Sequence, residues 1–234
     1  MRAITFDLWN TLLDLQYFYE LASIELSEIK SLPPEDCYNW LKESHDLVKE
    51  ALKRGELDEE DIVRGSIGLI LSRKGGSFSP NEIYEAFARA TNKISEEILL
   101  DDAQEVLRKL KMRGFKLAAI GNVIFWPGYI NRVILSKVGL SDFFSLQVYA
   151  DEVHSLKPNP KIFRIALEGL GASPDSSAHV GDSLSEDFAG ALAAGMAAVL
   201  VDRSKATQMK DSKLRIAVIK SLSEIDEVVD EILV

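Results

Sequence analysis

The sequence predicts an α/β protein in which helices cover both faces of a parallel sheet, with an inserted domain of four helices. Three observations lead to this prediction. A short apolar run at 2–6 ends at Asp7 and is typical of a buried strand. No comparable strand follows over about 15–99, where the apolar spacing is helical. From about residue 100, helical segments and short apolar strands alternate, which is typical of a parallel sheet.

The predicted insert begins with two helices. The first covers about 15–31, and Asp14 is placed to cap it. The second has one apolar face, because side chains suited to packing recur every three or four residues at Tyr38, Leu41, His45, Val48 and Leu52. This spacing favours a packing role for His45. The second helix is expected to stop at Gly55.

Two further helices complete the insert. The third begins after Asp58 and ends at Gly75-Gly76. The fourth opens with Ser79-Pro80-Asn81-Glu82, in which Ser79 is the N-cap and Glu82 completes a capping box.

The rest of the chain alternates between helices and strands. Strands are predicted at 116–120, 146–150, 178–181, 197–201 and 216–219, and helices at about 102–113, 128–138, 160–170 and 186–195. Ser221 and Glu224 are expected to form a capping box for a last helix. The predicted domains are therefore a core of 1–14 and 96–234, and a helical insert of 15–95.

The composition of the chain argues against several classes of function. Of the 234 residues, 47% are hydrophobic and 27% are charged, which is typical of a globular protein. The net charge of −10 argues against nucleic acid or an anionic membrane surface as a partner, but a locally positive site can still bind a small anionic substrate. The single cysteine, Cys37, excludes an intrachain disulfide, and with three histidines it argues against a zinc site.

The sequence contains no apolar run of 18 residues, and its start lacks the features of a signal peptide. We therefore expect a cytoplasmic protein without a membrane partner. Its oligomeric state is left open between monomer and homodimer.

Polar residues follow four of the predicted strands. Asp7 follows the first, Gly121-Asn122 the second, a loop leading to Lys157 the third, and Gly181-Asp182 through Asp187 the fourth. Ligands of open parallel sheets bind beyond the carboxyl ends of the strands. Three carboxylates and one lysine are therefore expected to meet at one sheet edge.

These motifs, in this order and with a helical insert after the first, resemble those of the haloacid dehalogenase-like hydrolases. The resemblance covers almost the whole chain and implies a Rossmann-like core and a mobile helical cap. It implies that Asp7 is a nucleophile, that Lys157 offsets the negative charge around it, and that Asp187 orients Lys157 or a metal-bound water.

The resemblance also implies a cofactor and a substrate site. Mg²⁺ would be held by Asp7, Asp182 and the backbone carbonyl of Trp9, because this hard cation prefers oxygen ligands. The small anionic substrate, most simply a phosphorylated metabolite, is expected to contact residues of the first two motifs: Trp9, Asn10, Thr11, Gly121 and Asn122.

Two positions depart from the family pattern. Trp9 stands where the phosphatases have a second Asp that protonates the leaving oxygen, and an indole cannot transfer that proton. Glu186, His154 or a residue of the insert would have to substitute. Gly121 stands where the family has Ser or Thr, which removes a hydroxyl that would bind the substrate, and it would leave space for the Trp9 indole. Phe125 and Trp126 are candidates to line the pocket.

Three alternatives stay open. An aromatic residue at position 9 resembles the 2-haloacid dehalogenases, but the acid at Asp182 and the lack of any arginine between Arg2 and Arg54 argue against that activity. A phosphonatase would need a lysine of the insert as a Schiff base, for which Lys30, Lys42, Lys49 and Lys53 are available. The third alternative is a catalytically silent phosphate-binding protein.

Overall fold

The core of the protein is a seven-stranded sheet. The computed structural model describes residues 2–75, 78–101, 103–204 and 208–233. The strands are β1 (Ala3–Phe6), β2 (Lys116–Gly121), β3 (Leu146–Tyr149), β4 (Ser177–Gly181), β5 (Ala197–Val201), β6 (Met209–Asp211) and β7 (Ile216–Ile219). They are ordered β3-β2-β1-β4-β5-β7-β6. All neighbouring pairs are parallel except β6 and β7.

Ten α-helices lie within the described parts of the chain. The four between β1 and β2 that form the insert are α1 (Leu15–Lys30), α2 (Pro34–Lys53), α3 (Ile62–Lys74) and α4 (Pro80–Lys93). The others are α5 (Ala103–Met112), α6 (Gly128–Lys137), α7 (Ala150–Val153), α8 (Pro160–Leu170), α9 (Ala189–Ala193) and α10 (Ile225–Ile232). The predicted α/β class, with a Rossmann-like core and an inserted group of four helices, is confirmed.

The burial and the order of the central strands explain where the site lies. Every residue of β1, β4 and β5 is buried, as expected when helices cover both faces of a parallel sheet. Because β1 lies between β2 and β4, the residues that follow these three strands emerge side by side at one edge.

The insert is held by local caps and by packing of α1 against α2 and α4. The side chain of Asp14 accepts hydrogen bonds from the backbone N–H groups of Gln16 and Tyr17, which confirms its capping role. Ser79 and Glu82 form the predicted capping box at the start of α4. The third helix ends at Lys74, and Gly76 lies outside the described residues.

Three local predictions were wrong. The exposed edge strand β6 was not predicted, because three solvated residues leave no apolar signal. The predicted helix at 186–195 is a π-helical turn at Leu184–Phe188 followed by the short α9. Residue 150, predicted to end a strand, instead begins α7.

The predicted capping box before the last helix was also wrong. The Ser221 side chain accepts from the Ser223 N–H, at the start of a 3₁₀ turn that precedes α10. The Glu224 carboxylate accepts a hydrogen bond from the Gln208 amide instead. No helix in the described ranges is long and apolar enough to cross a bilayer.

Candidate active site

Lys157 joins two carboxylates at the carboxyl edge of the sheet. Its Nζ donates to Asp7 Oδ1, to Asp187 Oδ1 at 2.7 Å and to the Ile120 carbonyl at 3.1 Å. The side chains of Lys157 and Asp187 are 1% and 2% exposed, so little water competes for these bonds. The structure therefore brings together the three residues that the sequence analysis assigned to catalysis.

Asp187 is fixed from two further sides. Its Oδ2 accepts from the Ser183 N–H at 2.9 Å, and its Oδ1 lies 3.1 Å from His179 Nε2 on β4. A Cβ at position 181 would lie 2.3 Å from Asp187 Cγ, so glycine is required there for the carboxylate to fit. The other ring nitrogen of His179 lies 2.7 Å from Thr5 Oγ1 on β1.

The charges in this cluster do not balance. Burial and the nearby Asp187 and Asp182 raise the pKa of Asp7 to about 8, although Lys157 opposes the shift. Burial and the charge of Asp187 raise the pKa of Asp182 to about 6. Burial also disfavours the ionised form of Asp187, but Lys157 and His179 outweigh it and hold the Asp187 pKa well below its usual range. The single positive charge of Lys157 therefore cannot neutralise three ionised carboxylates.

This donor set fits a divalent cation. Carboxylate oxygens of Asp7, Asp182 and Asp187 lie within 4.8 Å of one another. The group includes Asp7 and Asp182, the side chains expected to bind Mg²⁺. Asp187 already receives bonds from Lys157 and Ser183. Hard carboxylate oxygens and uncompensated negative charge are what Mg²⁺ favours.

Trp9 has both a packing role and a place at the cavity. Its ring stacks on Phe18 of α1, with centroids 5.2 Å apart, and meets Trp126 edge-on at 5.3 Å. The indole also lines the cavity beside Asp7. Its Nε1 is buried and has no hydrogen-bond partner. The position that would hold a proton donor therefore belongs to an aromatic contact between core and insert.

Asn10 and Thr11 hold the loop after β1. Asn10 has a left-handed backbone (φ 59°) and lines the cavity. Thr11 is buried, and its hydroxyl donates to Asp7 Oδ2 at 3.3 Å. Arg203 donates to the carbonyls of both residues, at 2.6 Å and 3.0 Å. Thr11 thus contacts the carboxylate of Asp7, whereas Asn10 faces the space where a ligand would bind.

The two residues after β2 behave differently. A Cβ at Gly121 would lie 3.1 Å from Tyr149, and the atoms nearest to it belong to Tyr149 and Asn131. The expectation that Gly121 leaves space for Trp9 was therefore wrong. Asn122 lines the cavity, and its amide bonds the backbone of Lys157 at 2.9 Å and 3.1 Å. Asn122 thus holds the segment that carries Lys157.

A cavity of about 240 Å³ opens over the carboxylates, and we call it the inner cavity. Its core side carries Asp7, Asp182 and Asp187, and its apolar wall consists of Trp9, Leu15, Leu52, Ile124 and Trp126. Trp126 thus has the pocket position expected for it. Phe125 is fully buried and stacks on Phe87.

The polar groups on the insert side of the inner cavity are Tyr19, His45 and Lys49. The Tyr19 hydroxyl lies 2.7 Å from His45 Nδ1. Burial and the charge of Lys49 lower the pKa of His45 to about 4, so the ring is neutral at pH 7. Lys49 forms an ion pair with Glu186 of the core.

Tyr19 and His45 were not predicted as site residues, and Lys49 was named only among the four lysines available to a phosphonatase. His45 and Lys49 are four residues apart and share one face of α2, so their spacing was the available signal. That spacing favoured packing for His45 because its neighbours are apolar. Of the two named candidates for a proton donor, Glu186 lines the inner cavity, whereas His154 is exposed and outside its lining.

Comparison with known proteins places the chain in a family. The family model of the haloacid dehalogenase-like hydrolases matches residues 1–195. A glyceraldehyde 3-phosphate phosphatase of Methanothermobacter thermautotrophicus is 27% identical over 244 aligned positions, covering 97% of this chain and 99% of that protein. A glyceraldehyde 3-phosphate phosphatase of Methanopyrus kandleri is 34% identical over 174 positions, covering 70% and 72%.

A solved structure agrees with these sequence matches. The crystal structure of a HAD phosphatase from Thermococcus onnurineus has a TM-score of 0.66 and 25% sequence identity, and the match covers 100% of both chains. The family match spans most of the chain and includes Asp7, Lys157 and Asp187, which meet at the sheet edge. This protein is a hydrolase that belongs to the haloacid dehalogenase-like family.

Proposed function

We propose that this protein is a Mg²⁺-dependent phosphatase that hydrolyses a small phosphorylated metabolite through an aspartyl-phosphate at Asp7. The observation that carries the proposal is the placement of Asp7. Its carboxylate lies on the floor of the inner cavity and is bonded to Lys157, which is itself fixed by Asp187. The phosphatase names of the relatives agree with this function.

In the first step, a carboxylate oxygen of Asp7 attacks phosphorus. The new bond joins Asp7 to phosphorus, and the bond between phosphorus and the ester oxygen breaks. The ammonium of Lys157 stabilises the negative charge on the transferring group. In the second step, water attacks the phosphorus, which releases inorganic phosphate and restores the Asp7 carboxylate.

Asp7, Asp182 and the backbone carbonyl of Trp9 would hold Mg²⁺. When bound, the ion would offset the charge of the carboxylates and of the phosphate. The same proposal divides the chain into two domains. A core of 1–14 and 96–234 carries the catalytic residues, and the insert of 15–95 is a cap. The cap closes the inner cavity through Tyr19, His45 and Lys49.

The leaving oxygen needs a proton that Trp9 cannot supply. General acid catalysis contributes about 10²–10⁴-fold, so esters with poor leaving groups should turn over slowly unless another acid acts. Glu186 is the carboxyl group that lines the inner cavity without belonging to the three-carboxylate cluster. We assign it as the candidate proton donor, a role that requires Glu186 to separate from Lys49 and take up a proton before the leaving oxygen departs.

The test is phosphate release from a panel of small phosphate esters and acyl phosphates, with Mg²⁺ and with EDTA. We expect metal-dependent release that Asp7→Asn abolishes. Asp14→Asn is the matched control, because Asp14 caps α1 and lies outside the inner-cavity lining. Its activity should stay within about twofold of wild type, since asparagine caps a helix about as well as aspartate and its side-chain oxygen can accept the same hydrogen bonds.

Absence of phosphate release from every ester would refute the proposal. Release of halide from 2-haloacids that survives EDTA would support a dehalogenase instead. A stable beryllium fluoride complex without turnover would support a silent phosphate-binding protein.

A further inference from the structure

Lys49 is a cation on the insert side of the inner cavity. Among its lining residues in the described ranges, Lys49 is the single Lys or Arg. His45, its neighbour on the same helix face, is neutral at pH 7 because burial lowers its pKa to about 4. Lys157 is already bound to Asp7 and Asp187. A ligand that reaches the insert therefore meets its positive charge at Lys49.

The present partner of Lys49 can be exchanged. Lys49 pairs with Glu186, and the two side chains are 32% and 20% exposed. Such partly solvated ion pairs contribute little stability, because water screens them and two long side chains lose rotational freedom. Glu186 also accepts a hydrogen bond from Asn122 Nδ2 at 3.0 Å, so it keeps a partner when Lys49 turns to a ligand.

We propose that Lys49 binds a second acidic group, a carboxylate or a phosphate, on the alcohol part of the substrate. This inference rests on the proposed function, which puts the phosphoryl group at Asp7. The substrate class is then a short phosphate ester with an acidic tail. The cavity of about 240 Å³ agrees with a short ester, since sites for drug-sized ligands measure about 300–1,000 Å³.

The experiment compares matched esters in the full-length protein with Mg²⁺. Phosphoglycolate is compared with hydroxyethyl phosphate, and 3-phosphoglycerate with glycerol 3-phosphate, so that each pair exchanges a carboxylate for a neutral hydroxymethyl group. The quantity measured is the ratio of kcat/KM within a pair, because losses in the chemical step common to both esters cancel. A third ester in each series carries a phosphate in place of the carboxylate. It shows whether the second acidic group that Lys49 binds is a carboxylate or a phosphate.

We expect wild type to favour the acidic ester of at least one pair by about tenfold, which corresponds to one charge-assisted hydrogen bond. Lys49→Met should abolish this preference, mainly through KM. Glu186→Gln should preserve or increase the preference, because it frees Lys49, even where turnover of both esters falls. Lys53→Met, an exposed position one turn further along α2, should leave the ratio unchanged.

A binding measurement separates this inference from the proposed function. Calorimetric titration of the Asp7→Asn variant with the same esters reports the preference without turnover. If no ester is hydrolysed but the acidic esters bind more tightly through Lys49, the phosphatase proposal fails and the inference stands. An equal affinity for acidic and neutral esters, or a preference that survives Lys49→Met, would overturn the inference. If Lys49→Met and Glu186→Gln lose the preference equally, the ion pair acts only as a structural contact between insert and core. That result would also overturn the inference.

Discussion

His179 Nε2 lies 3.1 Å from Asp187 Oδ1, the same oxygen that accepts a hydrogen bond from the Lys157 ammonium. The pKa of Asp187 is held low, so its carboxylate only accepts hydrogen bonds, and His179 must donate through Nε2. Burial lowers the pKa of His179, so the ring is neutral and its Nδ1 accepts from Thr5 Oγ1. A continuous chain of hydrogen bonds therefore runs from β1 through β4 to the lysine beside Asp7.

Replacing His179 should weaken the site without touching a ligand. His179→Leu leaves Thr5 and one oxygen of Asp187 with fewer partners, which we expect to lower the free energy of unfolding by about 1–3 kcal/mol. We also expect kcat to fall, because Asp187 fixes Lys157. Urea unfolding and phosphate release measure the two effects. Thr5→Val, which removes the bond to His179 and the longer contact with the Ala178 carbonyl but leaves the bond between His179 and Asp187, should give the same changes at smaller size. An unchanged kcat in His179→Leu would argue against a positioning role.

Trp9 should govern stability and leaving-group preference separately. Trp9→Asp exchanges a stacked, partly buried indole for a carboxyl group, and we expect it to cost less unfolding free energy than the about 3–5 kcal/mol lost when a fully buried aromatic residue is truncated. In the folded fraction, the rate on alkyl phosphates should rise relative to p-nitrophenyl phosphate, because a proton donor is restored.

Trp9→Phe keeps the stacking and provides the control. It should lose less stability than Trp9→Asp and leave the ratio of the two rates unchanged. An unchanged ratio in folded Trp9→Asp would show that a carboxyl group at position 9 does not act as a proton donor here.

Mg²⁺ binding should depend on pH in a defined direction. Without metal, the pKa of Asp7 is about 8 and that of Asp182 is about 6, so at pH 5 both carry protons that the cation must displace. The affinity for Mg²⁺ should therefore rise as the pH increases from 5 to 8, by up to about tenfold per unit for each proton released.

Calorimetry in two buffers with different ionisation enthalpies measures the proton release directly. Release should be larger at pH 6 than at pH 9, where both carboxyl groups are already ionised. Asp182→Asn should reduce both the affinity and the number of protons released. A Mg²⁺ affinity independent of pH would contradict the raised pKa values.

Gly128 and Gly68 form a matched pair for the packing of the core. A Cβ at Gly128 would lie 2.4 Å from Tyr149 Cβ, and nothing lies within 4 Å of a Cβ at Gly68 on α3. We expect Gly128→Ala to destabilise the protein by about 1–3 kcal/mol, as overpacking does. Gly68→Ala should stabilise it by about 0.5–1 kcal/mol, because alanine loses less backbone entropy in a helix. Thermal or urea unfolding measures both. A stable Gly128→Ala would mean that Tyr149 can move aside.

Much of the core site could be predicted from residue order. A buried apolar run that ends in a polar residue identifies a strand and its carboxyl end, and parallel strands bring those ends to one edge. Residue order was therefore sufficient to predict that Asp7, Asn122 and Lys157 lie together. The caps at Asp14 and Ser79 were equally predictable, because a cap depends only on residues within one turn.

Other features depended on contacts between distant segments. Lys49 and Glu186 are separated by 137 positions, and their pairing requires α2 to dock over the core, which no local periodicity encodes. The neighbour of Gly121 is Tyr149 rather than Trp9, because packing across β2 and β3 decides it. The sequence by itself determined the fold class and the chemical groups at the sheet edge, since these follow from local periodicity and strand order. Only the tertiary structure decided which insert side chains line the inner cavity, because that depends on how two separately periodic parts pack together.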